Sequence, residues 1–146
     1  MSSIYIALAD DDEDDREIFE QALHSLQREI SLELFKDGNA LMEFLRNKPK
    51  DVPEILFIDI NMPLKNGFDC LQEIRNTLNL KDICVIIFST TDHERDIVRA
   101  YDLTANGFIQ KPSNFGHLKS MLQKILDTDW KDPCSRLDRL NFVLQP

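Results

Sequence analysis

The chain has 146 residues and a formal net charge of −9, with 42% hydrophobic and 29% charged residues. Such a length suits one domain with its own core, and so acidic a surface lacks the counterion release that supports nucleic-acid binding. No apolar run approaches the roughly 20 residues of a membrane helix, and no signal peptide opens the chain. We therefore expect a cytoplasmic domain that binds no nucleic acid and is not inserted in a membrane.

Five short apolar runs, each followed by a segment of helical length, occur in chain order. The runs predict strands at residues 4–9, 31–35, 55–58, 83–88 and 107–110. The segments after them carry apolar residues at three- and four-residue spacing, as amphipathic helices do. The predicted stripes include Ile18 in the first helix, Leu78 in the third, and Ile97, Val98 and Tyr101 in the fourth.

The alternation of strand and helix predicts the fold class. Wholly apolar strands joined by helical crossovers form parallel sheets with helices on both faces, because each right-handed crossover covers one side. We therefore predict an α/β fold with a doubly wound, five-stranded parallel sheet over residues 1–127. Residues 128–146 fall outside the alternation and form a C-terminal extension.

Polar side chains stand at the carboxyl ends of four predicted strands. Asp10 and Asp11 follow the first strand, Asp59 the third, Ser89 the fourth and Lys111 the fifth. In an open α/β sheet these ends face one crevice, where ligands bind. Acids after a strand often cap or open a helix, and we assign that role to residues 12–15. The full set, five polar residues from the ends of four strands, instead predicts a shared site.

The residue types at this edge suit phosphoryl chemistry. Carboxylates held close together need a cation, and hard oxygen ligands suit Mg²⁺. A hydroxyl and an ammonium group beside them suit phosphoryl oxygens. Asp59 follows an apolar strand, where a charge without a partner is costly, and carboxylates can act as nucleophiles toward phosphorus. Asp59 is therefore the predicted phosphoryl acceptor.

The motifs at these positions, taken together, are similar to those of a known family. They resemble the receiver domain of two-component response regulators of the chemotaxis-regulator type, over residues 3–127. The resemblance implies the flavodoxin-like strand order 2-1-3-4-5. The motifs that carry it are Ala9-Asp10-Asp11, Asp59-Ile60-Asn61-Met62-Pro63 with Gly67, Phe88-Ser89-Thr90 and Lys111-Pro112.

The resemblance implies a set of metal ligands and a switch. Asp11 and Asp59 would ligate Mg²⁺ through their carboxylates, Asn61 through its backbone carbonyl, and Asp10 mostly through water. The remaining roles concern the phosphoryl group and its signal. Ser89 would hydrogen-bond the phosphoryl group, and Lys111 would pair with it. The Lys111–Pro112 peptide bond is expected to be cis. On activation, Ser89 would move and Phe108 would fill the vacated space.

The resemblance also implies the partners. The phosphoryl group would come from a sensor histidine kinase or a histidine phosphotransfer protein and be lost by slow hydrolysis, so the chain is not a turnover enzyme. With no effector domain following, a single-domain regulator would signal through a downstream protein that docks near the fourth helix, fifth strand and fifth helix. Apart from the resemblance, the extension is rich in apolar residues, including Leu140, Phe142 and Leu144; we therefore expect it to pack back on the domain or to make a homodimer or partner contact.

Two other functions start from the same residues. A haloacid-dehalogenase-type phosphatase also uses an aspartate nucleophile and Mg²⁺, but it places the nucleophile after the first strand and usually has a cap domain. A degenerate receiver acting only as an adaptor would not need the complete acceptor set. Turnover of small phosphate esters would favour the phosphatase, and absence of phosphorylation the adaptor.

Overall fold

The computed structural model describes residues 3–47, 50–128 and 139–146. Its five strands are β1 (Ile4–Ala9), β2 (Ile30–Phe35), β3 (Ile55–Ile58), β4 (Cys84–Ser89) and β5 (Gly107–Gln110). Its five helices are α1 (Glu13–His24), α2 (Gly38–Arg46), α3 (Gly67–Arg75), α4 (Glu94–Asp102) and α5 (Phe115–Leu126). Within these ranges, no helix combines the length and apolar character needed to span a bilayer.

The strands form one parallel sheet in the order β2-β1-β3-β4-β5, so the predicted fold class and strand order are confirmed. Every residue of β3 and β4 is buried, because helices cover both sides of the sheet. One apolar core joins the sheet to α2, α3 and α4, and a second joins the opposite face to α1 and α5. The two cores hold the carboxyl ends of the central strands in fixed positions.

Three residues assigned to apolar helix stripes are exposed instead. Ile18 is 44% exposed on α1 and Val98 is 37% exposed on α4, where Ala100 is buried. Leu78 is 82% exposed, because α3 ends at Arg75 and the chain has left the helical register by residue 78. The predicted stripes are therefore wrong at these positions, although the helices themselves are present.

Part of the C-terminal extension lies along the outer edge of β5. The Phe108 amide donates to the Phe142 carbonyl at 2.9 Å, and the Leu144 amide donates to the Phe108 carbonyl at 2.8 Å, giving a parallel bridge between Phe108 and Val143. The Phe142 side chain is fully buried, with its ring edge-on to Tyr101 at a centroid distance of 5.2 Å. This short segment thus extends both the sheet and the core.

Further contacts connect the same segment to the helices on either side of β5. The Arg139 guanidinium pairs with Glu94 at the start of α4. On α5, the Lys124 ammonium donates to the carbonyls of Gln145 at 3.0 Å and Pro146 at 2.8 Å. Residues 139–146 therefore cross the surface formed by α4, β5 and α5, which we call the 4-5-5 face.

Candidate functional site at the carboxyl edge of the sheet

Two buried acids meet where β1 and β3 end. Ala9 and Ile58 are register partners in these neighbouring strands, so the next residues, Asp10 and Asp59, emerge side by side. The Asp59 amide donates to the Ala9 carbonyl at 2.9 Å, and the Asp10 amide donates to the Phe35 carbonyl at 3.0 Å. Asp10 is 0% exposed and Asp59 is 5% exposed, so both carboxylates depend on the site for their partners.

Asp11 joins these two acids in a cluster suited to a cation. One carboxylate oxygen from each of Asp10, Asp11 and Asp59 lies within 4.8 Å of the others. Asp11 is exposed while the other two are buried, which leaves the cluster open to solvent on one side. Hard oxygen ligands with an open side match the preference of small divalent cations, which retain several waters.

The environment of Asp10 supports the same interpretation. Its Oδ1 accepts the Asp12 amide at 3.0 Å, and its buried Oδ2 lies 2.8 Å from the Lys111 ammonium. Burial raises the pKa of Asp10 to about 6, although the Lys111 ammonium and the Asp12 amide act in the opposite direction. A buried carboxylate whose oxygens lie close to those of two further acids fits a cation ligand, so these residues could hold a metal.

Lys111 brings a positive charge into the centre of the cluster. Its Nζ lies 2.8 Å from Asp10, 2.8 Å from Asp15 and 3.1 Å from Asp59, and 5.4 Å from the centroid of the Phe88 ring. Burial alone would lower the pKa of Lys111, but the hydrogen bonds to Asp10 and Asp15 and the charge of Asp59 raise it above its usual value. The ammonium is therefore charged and fixed by three carboxylates.

The Lys111–Pro112 peptide bond is trans, since the described residues contain no cis bond. The expected cis bond is thus wrong for this structure. The Lys111 amide donates to the Ser89 carbonyl at 2.8 Å, which continues the β4–β5 pairing by one residue. This pairing already directs the Lys111 side chain into the acid cluster, so the trans isomer, favoured by about 0.5–1 kcal/mol before proline, suffices.

Ser89 and Asn61 lie at the same edge but make weaker contacts. Ser89 is fully buried, and among the described residues its Oγ accepts only the Thr91 amide, at 3.5 Å. The Asn61 amide donates to Asp59 Oδ1 at 3.3 Å, while its side chain is exposed. Phe108 lies deeper, paired with Ile87 in the sheet, and is fully buried. Within the part of the chain that the structure describes, the Ser89 hydroxyl thus has no close side-chain partner.

Gly67 allows α3 to begin directly against the backbone of Asp59, at the end of β3. A Cβ atom there would lie 2.4 Å from the Asp59 carbonyl oxygen, far inside van der Waals contact. The Gly67 amide donates to the Ile60 carbonyl at 3.0 Å, and Asn66 caps the helix by accepting the Asp69 amide at 2.9 Å. The glycine of the motif therefore fixes the loop that follows Asp59.

Two residues that contact the site were not assigned to it from the sequence. Asp15 was interpreted only as a first-turn anion, yet it pairs with Lys111. The Arg16 guanidinium donates to the Asp10 carbonyl at 2.7 Å. A helix that starts immediately after Asp10 and Asp11 must place its first turn at the same edge, and that geometry is the signal that could have found both.

Comparisons with known proteins agree on the family. Residues 6–123 match the response regulator receiver domain. Response regulator Rcp1 of Synechocystis is 31% identical over 126 residues, covering 82% of this chain and 84% of that protein. Chemotaxis protein CheY1 of Helicobacter pylori is 30% identical over 76 residues, covering 52% of this chain and 61% of that protein.

Solved structures give the same result. The phosphorylated cyanobacterial phytochrome response regulator RcpA is 30% identical with a TM-score of 0.78, covering 85% of this chain and 91% of that one. The Mn²⁺-bound form of Rcp1 is 27% identical with a TM-score of 0.77, covering 92% of this chain and 99% of that one. The chain that carries this edge cluster of acids, hydroxyl and lysine therefore belongs to the response regulator receiver domains of two-component signalling, a family of signalling domains rather than turnover enzymes.

Proposed function

We propose that this chain accepts a phosphoryl group on Asp59 from the phosphohistidine of a sensor histidine kinase or a histidine phosphotransfer protein. The observation that carries the proposal is the position of Asp59: its carboxylate lies 3.1 Å from the Lys111 ammonium and within 4.8 Å of the Asp10 and Asp11 carboxylates. The structures of phosphorylated RcpA and Mn²⁺-bound Rcp1 concern relatives, and they support the proposal by similarity.

Asp10, Asp11 and Asp59 would hold Mg²⁺, together with the Asn61 backbone carbonyl. When bound, this ion would neutralise the carboxylates and the incoming phosphoryl oxygens, which would otherwise repel one another. A carboxylate oxygen of Asp59 would form the new bond to phosphorus as the bond from phosphorus to the donor imidazole nitrogen breaks. The product is an acyl phosphate, and the imidazole leaves with the electron pair and takes up a proton.

Lys111 and Ser89 would stabilise the product. The Lys111 ammonium already touches Asp59 and needs only a small movement to pair with a phosphoryl oxygen. Among residues 3–47, 50–128 and 139–146, the Ser89 hydroxyl has one long contact, at 3.5 Å, so it can turn toward the new group with little loss. Phosphoryl transfer depends mainly on such positioning and charge neutralisation, which these two groups provide from neighbouring strands.

The output would be a protein contact at the 4-5-5 face, made in the cytoplasm. Movement of Ser89 toward the phosphoryl group would vacate space on β4, and Phe108 on β5 would respond. Phe108 is bonded through its backbone to Phe142 and Leu144, so a shift at this residue reaches the segment that crosses the face. Such a switch is a population shift, limited by how differently the two states bind the acyl phosphate.

The test is incubation with acetyl phosphate and Mg²⁺, followed by intact mass measurement. We expect wild type to gain one phosphate, Asp59→Asn to gain none, and the control Asp14→Asn to behave as wild type, because Asp14 is an exposed acid on α1. Failure of wild type to gain phosphate would favour the adaptor and contradict the proposal. Sustained turnover of small phosphate esters would instead favour a phosphatase.

A further inference from the structure

The Lys111 ammonium has three hydrogens and, among the described residues, three carboxylate neighbours. Two of these neighbours, Asp10 and Asp59, belong to the acid cluster that would hold a cation. The third, Asp15, lies 2.8 Å from Nζ but outside that cluster. A bound metal ion would interact with the charges of Asp10 and Asp59. Asp15 is then the carboxylate paired with Lys111 that the metal ion does not neutralise.

Asp15 also differs from the other two in exposure. Its side chain is 31% exposed, against 0% for Asp10 and 8% for Asp59. A carboxylate that reaches water can be rehydrated when it loses an ionic partner, whereas a buried one cannot. Of the three pairs made by Lys111, the pair with Asp15 is therefore the one that can be exchanged at least cost.

We propose that Asp15 is a positioning residue that competes with the phosphoryl group for Lys111. In the unphosphorylated chain, Asp15 holds the Lys111 ammonium at the N-terminal end of α1. When Asp59 carries the phosphoryl group, the ammonium transfers to a phosphoryl oxygen and Asp15 turns to solvent. Asp15 thus lowers the readiness of the site to accept phosphate and keeps Lys111 in place until the phosphoryl group arrives. This inference rests on the proposed phosphorylation of Asp59.

The competing interpretation is that Asp15 only favours the start of α1. It lies in the first turn with Glu13 and Asp14, and an acid there interacts well with the helix dipole. Asp14 shares that position in the turn and the same charge, but it is exposed and has no contact with Lys111 among those of the described residues. Asp14→Asn is therefore the matched control for the loss of one first-turn charge.

The experiment compares wild type, Asp15→Asn, Asp15→Glu and Asp14→Asn by intact mass over time, with acetyl phosphate and saturating Mg²⁺. Removing one negative charge a few ångströms from the phosphoryl oxygens should raise the rate of phosphate gain by about three- to tenfold in Asp15→Asn. Asp14→Asn should stay within about twofold of wild type, since exposed charges are well screened. Asp15→Glu should restore the wild-type rate because it keeps the charge.

A second readout separates competition from a structural role. Beryllium fluoride with Mg²⁺, a mimic of the phosphoryl group, should raise the melting temperature of Asp15→Asn more than that of wild type, because the variant has no pair to give up. A helix-start role would change the free and mimic-bound forms equally. Equal rates and equal melting shifts for Asp15→Asn and Asp14→Asn would overturn the inference while leaving the phosphorylation of wild type intact. No phosphate gain in any variant would overturn both proposals.

Discussion

The buried ring of Phe142 gives a direct test of how the C-terminal segment is attached. Phe142 is 0% exposed and lies edge-on to Tyr101, so Phe142→Ala removes a complete core side chain. In a closed core, Phe→Ala costs about 3–5 kcal/mol. Here the loss cannot exceed the free energy of docking the segment itself, because beyond that point the segment detaches.

We therefore expect Phe142→Ala to lower the free energy of unfolding by about 2–4 kcal/mol, a range that overlaps the lower end of the values for buried phenylalanine and extends below it. For a domain of this size, that loss lowers the melting temperature by about 5–12 °C. Urea unfolding followed by circular dichroism gives the free energy, and a thermal scan gives the temperature.

Leu140→Ala is the matched control, because Leu140 lies in the same segment and is 94% exposed. Its truncation should change the free energy of unfolding by less than about 0.5 kcal/mol. If the two variants unfold at the same urea concentration, Phe142 contributes no core packing and the attachment described for this segment is wrong.

Three other substitutions test the loop, the strain and the charge of the site. Gly67→Ala should destabilise the fold by more than about 2 kcal/mol in urea unfolding, because its Cβ would lie 2.4 Å from a backbone oxygen. Gly116→Ala is the control and should change stability much less, because its Cβ would meet only a side-chain oxygen at 3.1 Å. Equal losses of stability in the two variants would refute the close approach at Gly67. Leu64 has a φ of +70° and is 82% exposed, so Leu64→Asn should stabilise the fold by about 0.5–1 kcal/mol through relief of backbone strain. The gain is measured as a rise in melting temperature. The control Leu78→Asn, at a residue of equal exposure, should show no such rise. The pKa of Asp10 is raised to about 6 from 3.8, so its contribution to stability is present below pH 4 and is lost as pH rises toward 6. Asp10→Asn should then gain stability relative to wild type between pH 4 and pH 7 by about 1–3 kcal/mol in a buffer without divalent cations, and a constant difference across that range would contradict the burial of this charge.

Features with a local periodic signal could be predicted from the sequence. β1, β3 and β5 were predicted with the bounds that the structure has, because short apolar runs ending at Asp10, Asp59 and Lys111 mark both the strand and its end. The parallel arrangement followed from helical crossovers. The order of the strands came from the resemblance, since periodicity alone does not say which strands are neighbours.

Features that depend on contacts between distant side chains could not be predicted in the same way. Asp15 and Lys111 are 96 residues apart, and first-turn acids are common enough on helices that nothing local distinguishes Asp15 from Asp14. The apolar content of the extension predicted that its side chains would be buried against the domain or at an interface. Its pairing with the edge of β5 depends on tertiary contacts, which the local sequence does not show. Val98 shows the same limit, because Ala100 takes the buried position on α4 although its own sequence signal is weaker.

The pairing of residues 142–144 with β5 has a consequence for aggregation. An uncovered strand edge presents unpaired amide and carbonyl groups that can template pairing with another chain. Here both backbone groups of Phe108 are occupied by Phe142 and Leu144, so this edge is blunted by the chain's own backbone. On the opposite side, β2 carries Glu33 on its edge, a charge of the kind that discourages such pairing. Loss of the segment would expose the unpaired edge of β5 and the apolar site that the Phe142 ring fills beside Tyr101. We expect such a form to self-associate.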